Sequence, residues 1–275
     1  MYLLEKIYKR LLREAEELSG EELSAKILRR VEKAYNENMA LVDLRIGPDR
    51  QIFILYKPSE IYDSLFEFLD DLDSNNLEEI SRGFLSHVKA NFQRSVVGVV
   101  DIALPSTVST GKCLGASVVQ FSAADEGYGP MLYDIAMSMA PNGKIMSDRS
   151  SVTNLAAQYY KNLSDRPDIT AEPLVRKTRE NADEPNACKT WREKFPEREF
   201  LDYAYSRSSD FDATSLLNNH EDTLQAIKDM FAEFGMGPKD LEASINDGFR
   251  AAASKFFSKK YSALPNSQII SIFDR

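Results

Sequence analysis

The sequence predicts an α/β (α+β) fold in which strands and helices are interspersed around a single core, with helical additions at both ends. Three stretches carry that prediction. Ala40 to Ile46 and Gln51 to Tyr56 are short apolar-rich runs separated by Gly47-Pro48-Asp49-Arg50, which reads as a hairpin. Ser95 to Leu104 (SVVGVVDIAL) is the clearest strand in the chain, rich in valine and stopped by Pro105. Residues 113 to 163 then read as strand, glycine turn, helix, strand, helix.

Within that last stretch, Cys113 to Ala124 (CLGASVVQFSAA) is mostly apolar, long enough for one interior strand, and ends at the polar pair Asp125 and Glu126. In Gly127-Tyr128-Gly129-Pro130 the two glycines permit positive φ and close approach of a ligand to bare backbone, and Pro130 has the φ suited to a first helical position. Leu132, Ile135, Ala136 and Met139 make one apolar helical face, and Pro141-Asn142-Gly143 ends the helix. Lys144-Ile145-Met146 starts a short strand that breaks off at Ser147-Asp148-Arg149. A glycine turn between a strand and a helix points backbone N–H groups and the helix dipole at an anion, most often a phosphate. An ordinary tight connection has the same sequence signature.

The remaining elements follow from periodicity. Leu3, Leu4, Ile7, Tyr8, Leu11 and Leu12 form the stripe of a first helix, and Ser19 with Glu22 caps a second that carries Leu23, Ile27, Leu28, Val31 and Tyr35. Residues 1–38 are therefore expected as a helical extension, 39–210 as the core and 211–275 as a second helical extension. Ile61, Leu65, Phe66, Leu69 and Leu72 make a helix with an acidic outer side, and Asn76 with Glu79 caps the next, which carries Phe84 and Val88. Ile169 to Val175 is a weak strand interrupted by Pro173. Lys177 to Glu199, with the sole tryptophan Trp191, reads as a lid or substrate-facing loop, and Phe200 to Tyr205 as a final strand. Leu224, Ile227, Met230 and Phe231 form one carboxyl-terminal helix, and Pro238 opens another with Leu241, Ile245, Phe249, Phe256 and Phe257.

Composition bounds the function. The chain has 275 residues, 43% of them hydrophobic, enough for a sizeable core, and a formal net charge of −9. Nonspecific attraction to nucleic acid or an anionic membrane is disfavoured, whereas a basic or cationic partner fits. The two cysteines, Cys113 and Cys188, lie far apart without a histidine cluster, so neither a disulfide framework nor a zinc or other metal site is expected. With no long apolar window, the expected setting is cytoplasmic and reducing. His87 and His220 have no serine or cysteine motif around them, which argues against a hydrolytic triad.

The order of elements, the turn EGYGPMLYDIAMSMA and the segment SSVTNLAAQYYKNL resemble the GNAT superfamily of acetyl-CoA-dependent N-acyltransferases. MLYDIAMSMA, MSDRSSV and LDYAYS most resemble its phage-encoded members, over about residues 95 to 175. The resemblance implies a mixed, largely antiparallel sheet whose fourth strand splays from the fifth, with acetyl-CoA held between them. It implies a pyrophosphate loop of Glu126, Gly127, Tyr128, Gly129 and Pro130, and backbone of Val118 and Val119 beside the pantetheine arm. Ala156 and Tyr160 match the alanine and, four residues on, the tyrosine that protonates the departing thiolate, with Tyr159 as a neighbouring rival. Glu126 and Asp148 are the two candidates for the base that accepts the amine's proton, directly or through water. The family's arginine before the Gly-x-Gly is missing. Acetyl or other acyl transfer to an amine-bearing small molecule or protein is thus the expected activity. The alternative is a catalytically inactive phage structural or host-inhibiting protein that binds a basic host protein through its acidic surface, in the host cytoplasm or the virion.

Overall fold

The computed structural model describes residues 39–45, 47–70, 77–105, 111–148, 152–191, 196–208, 211–233 and 238–261. In chain order these form β1 (Ala40–Arg45), β2 (Arg50–Tyr56), α1 (Pro58–Asp70), α2 (Leu77–Ser95), β3 (Val96–Ala103), β4 (Ser117–Ala124), α3 (Gly129–Met139), β5 (Lys144–Ser147) and α4 (Asn154–Ser164). There follow β6 (Ile169–Pro173), β7 (Val175–Arg176), β8 (Ala187–Cys188), β9 (Tyr203–Arg207), α5 (Thr214–Glu233) and α6 (Pro238–Tyr261). Seven strands make one sheet in the order β1-β2-β3-β4-β5-β9-β6, and β7 pairs with β8 apart from it. Every adjacent pair in the large sheet is antiparallel except β4 with β5, so the sheet is mixed and largely antiparallel, as the sequence predicts.

Alternation along the strands builds a core on each face of the sheet. Ile52, Ile54 and Tyr56 of β2 enter one core with Phe84, Val88 and Phe92 of α2 and Ile245, Phe249 and Phe257 of α6. Phe53 and Leu55 enter the other, with Leu132, Ile135 and Ala136 of α3 and Ala157, Tyr160 and Leu163 of α4. Because both faces are covered, β2 and β3 read as continuous apolar runs and not as alternating ones. Helix α5 supplies Leu216 to one core and Ile227 to the other, and Asn219 Nδ2 donates to Met39 O at 2.8 Å beside β1. The carboxyl-terminal helices therefore complete both cores and cover an edge that would otherwise be open to pairing.

Several elements differ from the sequence reading. The run from Cys113 opens with a single 3₁₀ turn, Cys113–Gly115, and the strand begins only at Ser117. Cys113 (φ 46°) and Leu114 (φ 57°) take left-handed backbone there, which their composition does not advertise. The expectation of no disulfide is corrected: Cys113 and Cys188 are bonded, 75 residues apart in sequence. The strand expected over 169–175 breaks at Leu174, whose N–H donates to Asp202 O at 2.8 Å. Pro173 cannot donate to the ladder, and the two residues beyond the break join β8 instead. The strand expected from Phe200 starts at Tyr203, after a 3₁₀ segment Pro196–Asp202. The two amino-terminal helices and the Asn76 cap lie outside the described residues. No described helix is long and apolar enough to cross a membrane.

Candidate functional site

The site is built around the parallel pair. Strands β4 and β5 share three rungs, Ser117 with Ile145, Val118 with Met146 and Val119 with Ser147. β5 ends there, while β4 continues for five residues to Ala124. At that point the register between β3 and β4 also shifts: Ile102 faces Val119 and Asp101 faces Phe121, which leaves Gln120 as a bulge. A bulge bends its strand and increases the local twist. β4 is thus bulged where its parallel neighbour stops, and the place where it runs on past the end of β5 is the fork.

The open end of the fork leads to the glycine turn. Asp125, Glu126 and Gly127 are exposed, and Gly127 has φ +95° with nothing within 4 Å of the place a Cβ would occupy. Tyr128 N–H donates to Asp125 O at 3.2 Å, closing the turn, and Tyr128 stands at the N-cap of α3 without a side-chain cap bond. Pro130 lies in the first turn of α3, as predicted. Lys57, at the end of β2, holds its ammonium 5.1 Å from the centroid of the Tyr128 ring and so supplies positive charge beside the turn.

Gly129 is buried and is needed for a different reason. A Cβ there would collide with the hydroxyl of Tyr159 and lie 2.7 Å from its Cζ. Tyr159, half-buried on α4, stacks on Tyr133 of α3 with centroids 5.3 Å apart and planes 16° apart. The absence of a side chain at 129 is what lets α3 and α4 approach. Tyr160 points elsewhere: it is 2% exposed and lies between Tyr133 (5.6 Å) and Tyr205 of β9 (5.6 Å). Burial, with Tyr159 adding to it, pushes the Tyr133 hydroxyl well above the ordinary phenol range.

Helix α3 is fixed from below by a buried ion cluster. Asp134 is fully buried and accepts from Arg166 at 2.9 and 3.3 Å. Arg166 also donates to Asp168 at 3.0 and 2.6 Å, and Arg207 of β9 reaches Asp134 at 3.5 Å and Asp168 at 3.3 Å. Burial pushes the Asp134 carboxyl up against the pull of the two guanidinium groups. For Asp168 burial acts in the same sense, but the Arg166 hydrogen bonds and both positive charges prevail and hold its carboxyl below the usual range.

At the far arm of the fork, Asp148 follows the last residue of β5. The indole Nε1 of Trp191 donates to Asp148 O at 3.0 Å, and the Trp191 backbone N–H donates to the carboxylate of buried Asp202 at 2.6 Å. Ser147 Oγ donates to Leu201 O at 3.2 Å, so the 3₁₀ segment is attached to the same strand end. The Trp191 segment is itself held down by the Cys113–Cys188 bond and by Leu114 N–H donating to Pro185 O at 2.6 Å.

Of the residues chosen from sequence, Glu126, Gly127, Tyr128, Gly129 and Pro130 form one continuous turn at the fork, and Asp148 lies on its opposite arm. Val118 and Val119 occupy its last two closed rungs, paired with β3 on one side and β5 on the other. Ala156 lies within α4, where its N–H donates to the capping Thr153 Oγ1 at 3.2 Å. Sequence reasoning missed Lys57 and Gln120. Neither had a signal: the bulge at Gln120 is a matter of register, and only folding brings Lys57 beside residue 128. In comparisons with family models, curated proteins and solved structures, the chain matches none of them.

Proposed function

We propose that the chain is an N-acyltransferase of GNAT type that moves an acetyl or other acyl group from CoA to an amine. The observation that carries this reading is the parallel strand pair itself: β4, bulged against β3 at Gln120, runs on past the end of β5 to a glycine turn at a helix N-terminus. Exposed main chain and the helix dipole at Gly127 suit a diphosphate, and Lys57 supplies the cation that the turn itself lacks. The main chain of Gln120 to Ala124, beyond the rungs that Val118 and Val119 share with β5, is the stretch of β4 that we assign to a pantetheine arm. Transfer then needs an amine held beside the thioester carbonyl, a backbone donor for the developing oxyanion, a base and a proton for the sulfur.

Tyr159 is our choice of proton donor in place of Tyr160, because its hydroxyl lies against Gly129 of the turn whereas Tyr160 is enclosed by the core. Asp148 and Glu126 stand on opposite arms as candidate bases. The assay is release of free thiol from acetyl-CoA on addition of a primary amine. Thiol release is expected to depend on the amine and to fall about a hundredfold in Tyr159→Phe, with a much smaller loss in Tyr160→Phe. A chain that binds no acetyl-CoA in calorimetry ends this reading.

One observation favours a second reading, a fold kept without catalysis in a phage structural or host-inhibiting protein. The Tyr159 hydroxyl fills the space beside Gly129, so only the Gly127 half of the turn is open. Under this reading a basic host protein is retained in a salt-sensitive manner and acetyl-CoA is not bound. Of the two settings we propose, host cytoplasm and virion, the buried cystine fits the virion better, since disulfides persist in oxidising surroundings.

A further inference from the structure

From the turn that precedes β4 we infer a redox-sensitive switch. The Cys113–Cys188 bond holds the Cys113–Gly115 turn in left-handed backbone and clamps residues 183–188 onto it, and reduction releases both. The switch concerns this clamp alone and is independent of the acyl-transfer reading.

Three consecutive residues of the turn have positive φ: Cys113 (46°), Leu114 (57°) and Gly115 (66°). Gly115 takes that conformation without penalty, whereas a non-glycine residue there is disfavoured about 5- to 30-fold. Local sequence does not ask for it, since CLGASVVQFSAA reads as one strand. What opposes the strain comes from far along the chain. Leu114 N–H donates to Pro185 O at 2.6 Å, and Lys112 Nζ donates to Asp183 O at 2.5 Å. Gly111 lies so close to Ala187 that a Cβ would collide with its carbonyl oxygen. A hydrogen bond of this kind contributes about a 2- to 12-fold preference, so two of them do no more than offset two left-handed residues. The covalent bond between Cys113 and Cys188 therefore decides whether the turn keeps its shape. Three residues beyond Cys188, Trp191 is bonded through its ring N–H to Asp148 O at the end of β5, so the clamp closes beside the fork.

Opening the bond takes two electrons and two protons, which a small dithiol supplies. Its thiolate attacks one sulfur of the pair, the S–S bond breaks, and the other cysteine leaves as a thiolate that takes up a proton. The second thiol of the reductant then closes onto the mixed disulfide, giving a cyclic disulfide and freeing the remaining cysteine as a thiol. Both cysteines are buried, so attack follows a local opening of the turn.

Dithiothreitol is the probe, used on the full chain. Amide exchange of the reduced chain should be about tenfold or more faster in peptides covering 112–116, where Leu114, Gly115 and Ala116 all donate within the clamp, with β2, β3 and α3 unchanged. Cys188→Ala should show the same pattern without reductant. Unchanged exchange at 112–116 in either case overturns the switch, because the cystine then holds nothing. Protection lost throughout β2 and β3 overturns it too, because the bond is then a general cross-link. The strain is read separately by equilibrating Leu114→Gly and Leu114→Ala with mixtures of reduced and oxidised dithiothreitol and trapping the thiols for mass spectrometry. Both variants remove the leucine side chain and differ in their tolerance of positive φ. Half-reduction should need about 3- to 10-fold more dithiol relative to its disulfide in the glycine variant than in the alanine variant. Equal ratios in the two overturn the claim that the bond holds a strained turn.

Discussion

Replacing Gly129 by alanine tests whether the close approach of α3 and α4 is what that glycine serves. In the parent chain the new Cβ would meet the Tyr159 hydroxyl and lie 2.7 Å from Cζ, well inside van der Waals contact. Two effects oppose each other. Gly→Ala in a helix is worth up to about 1 kcal/mol, and less at a first helical position such as this one. Overpacking costs about 1–3 kcal/mol, and here the ring cannot simply swing away, because it is stacked on Tyr133 at 5.3 Å. Gly129→Ala should therefore destabilise by about 1–2 kcal/mol, which at a urea m-value near 3 kcal/mol/M lowers the midpoint by about 0.5 M. Tyr159→Ala alone gives up the stacked pair and its burial, about 2 kcal/mol. In that background the collision is gone, and Gly129→Ala should become neutral or stabilising by about 0.5 kcal/mol. The double-mutant cycle from four urea titrations should thus give a coupling of about 1.5–2.5 kcal/mol. Additivity within about 0.3 kcal/mol would refute the argument that residue 129 is glycine because of Tyr159.

Three further outcomes follow from the geometry. Asp134→Asn leaves Arg166, 3% exposed, with only Asp168 as a full charge partner, and should cost about 3–5 kcal/mol by chemical denaturation; a loss under about 1 kcal/mol would show that the cluster does not anchor α3. Opening the Cys113–Cys188 bond, by Cys188→Ala or by reductant, releases a closure spanning 75 residues, for which chain entropy gives about 4.5 kcal/mol, and an unchanged unfolding midpoint would count against a formed bond. His220 Nδ1 lies 2.9 Å from the hydroxyl of buried Tyr56, and burial, opposed only weakly by Glu221, holds its imidazolium pKa below the ordinary histidine value. The unfolded chain therefore binds the proton first: stability is complete above the unfolded value near 6.5 and falls with pH below it, by up to about 1.4 kcal/mol per unit, until the folded value is passed. His220→Gln should remove that slope between pH 6.5 and 5, and an identical slope in the variant would assign it to other groups.

Much of the sheet was legible because local signals agreed with the tertiary outcome. Gly47 has φ +72° in the hairpin turn predicted there, Pro105 follows the end of β3, and Pro141-Asn142-Gly143 ends α3 with Gly143 at φ +64°. The misreadings share a cause, in that a distant partner overrode composition. Leu114 looks like a strand residue but is held left-handed in a turn whose N–H donates to Pro185 O, seventy-one residues on. Leu174 leaves the strand because its N–H has a partner in Asp202. Sequence distance between the cysteines says nothing about their pairing once the stretch around Cys188 folds back onto the turn that precedes β4. For the site, the glycine turn was readable from Gly127, Gly129 and Pro130 alone. Which of two adjacent tyrosines faces it was not, because that depends on the rotation of α4 against α3. The bulge at Gln120 was equally out of reach, since it is a property of register and not of any one residue.

The most direct test of the account is amide hydrogen exchange on the full chain with and without saturating acetyl-CoA, read by mass spectrometry. The account predicts slowed exchange confined to the fork, in peptides covering Gln120 to Leu132 and Ile145 to Asp148, with α2, α5 and α6 unchanged. Exchange unaltered at the Gly127–Pro130 turn, or protection appearing only on the α2 and α6 face, would contradict it.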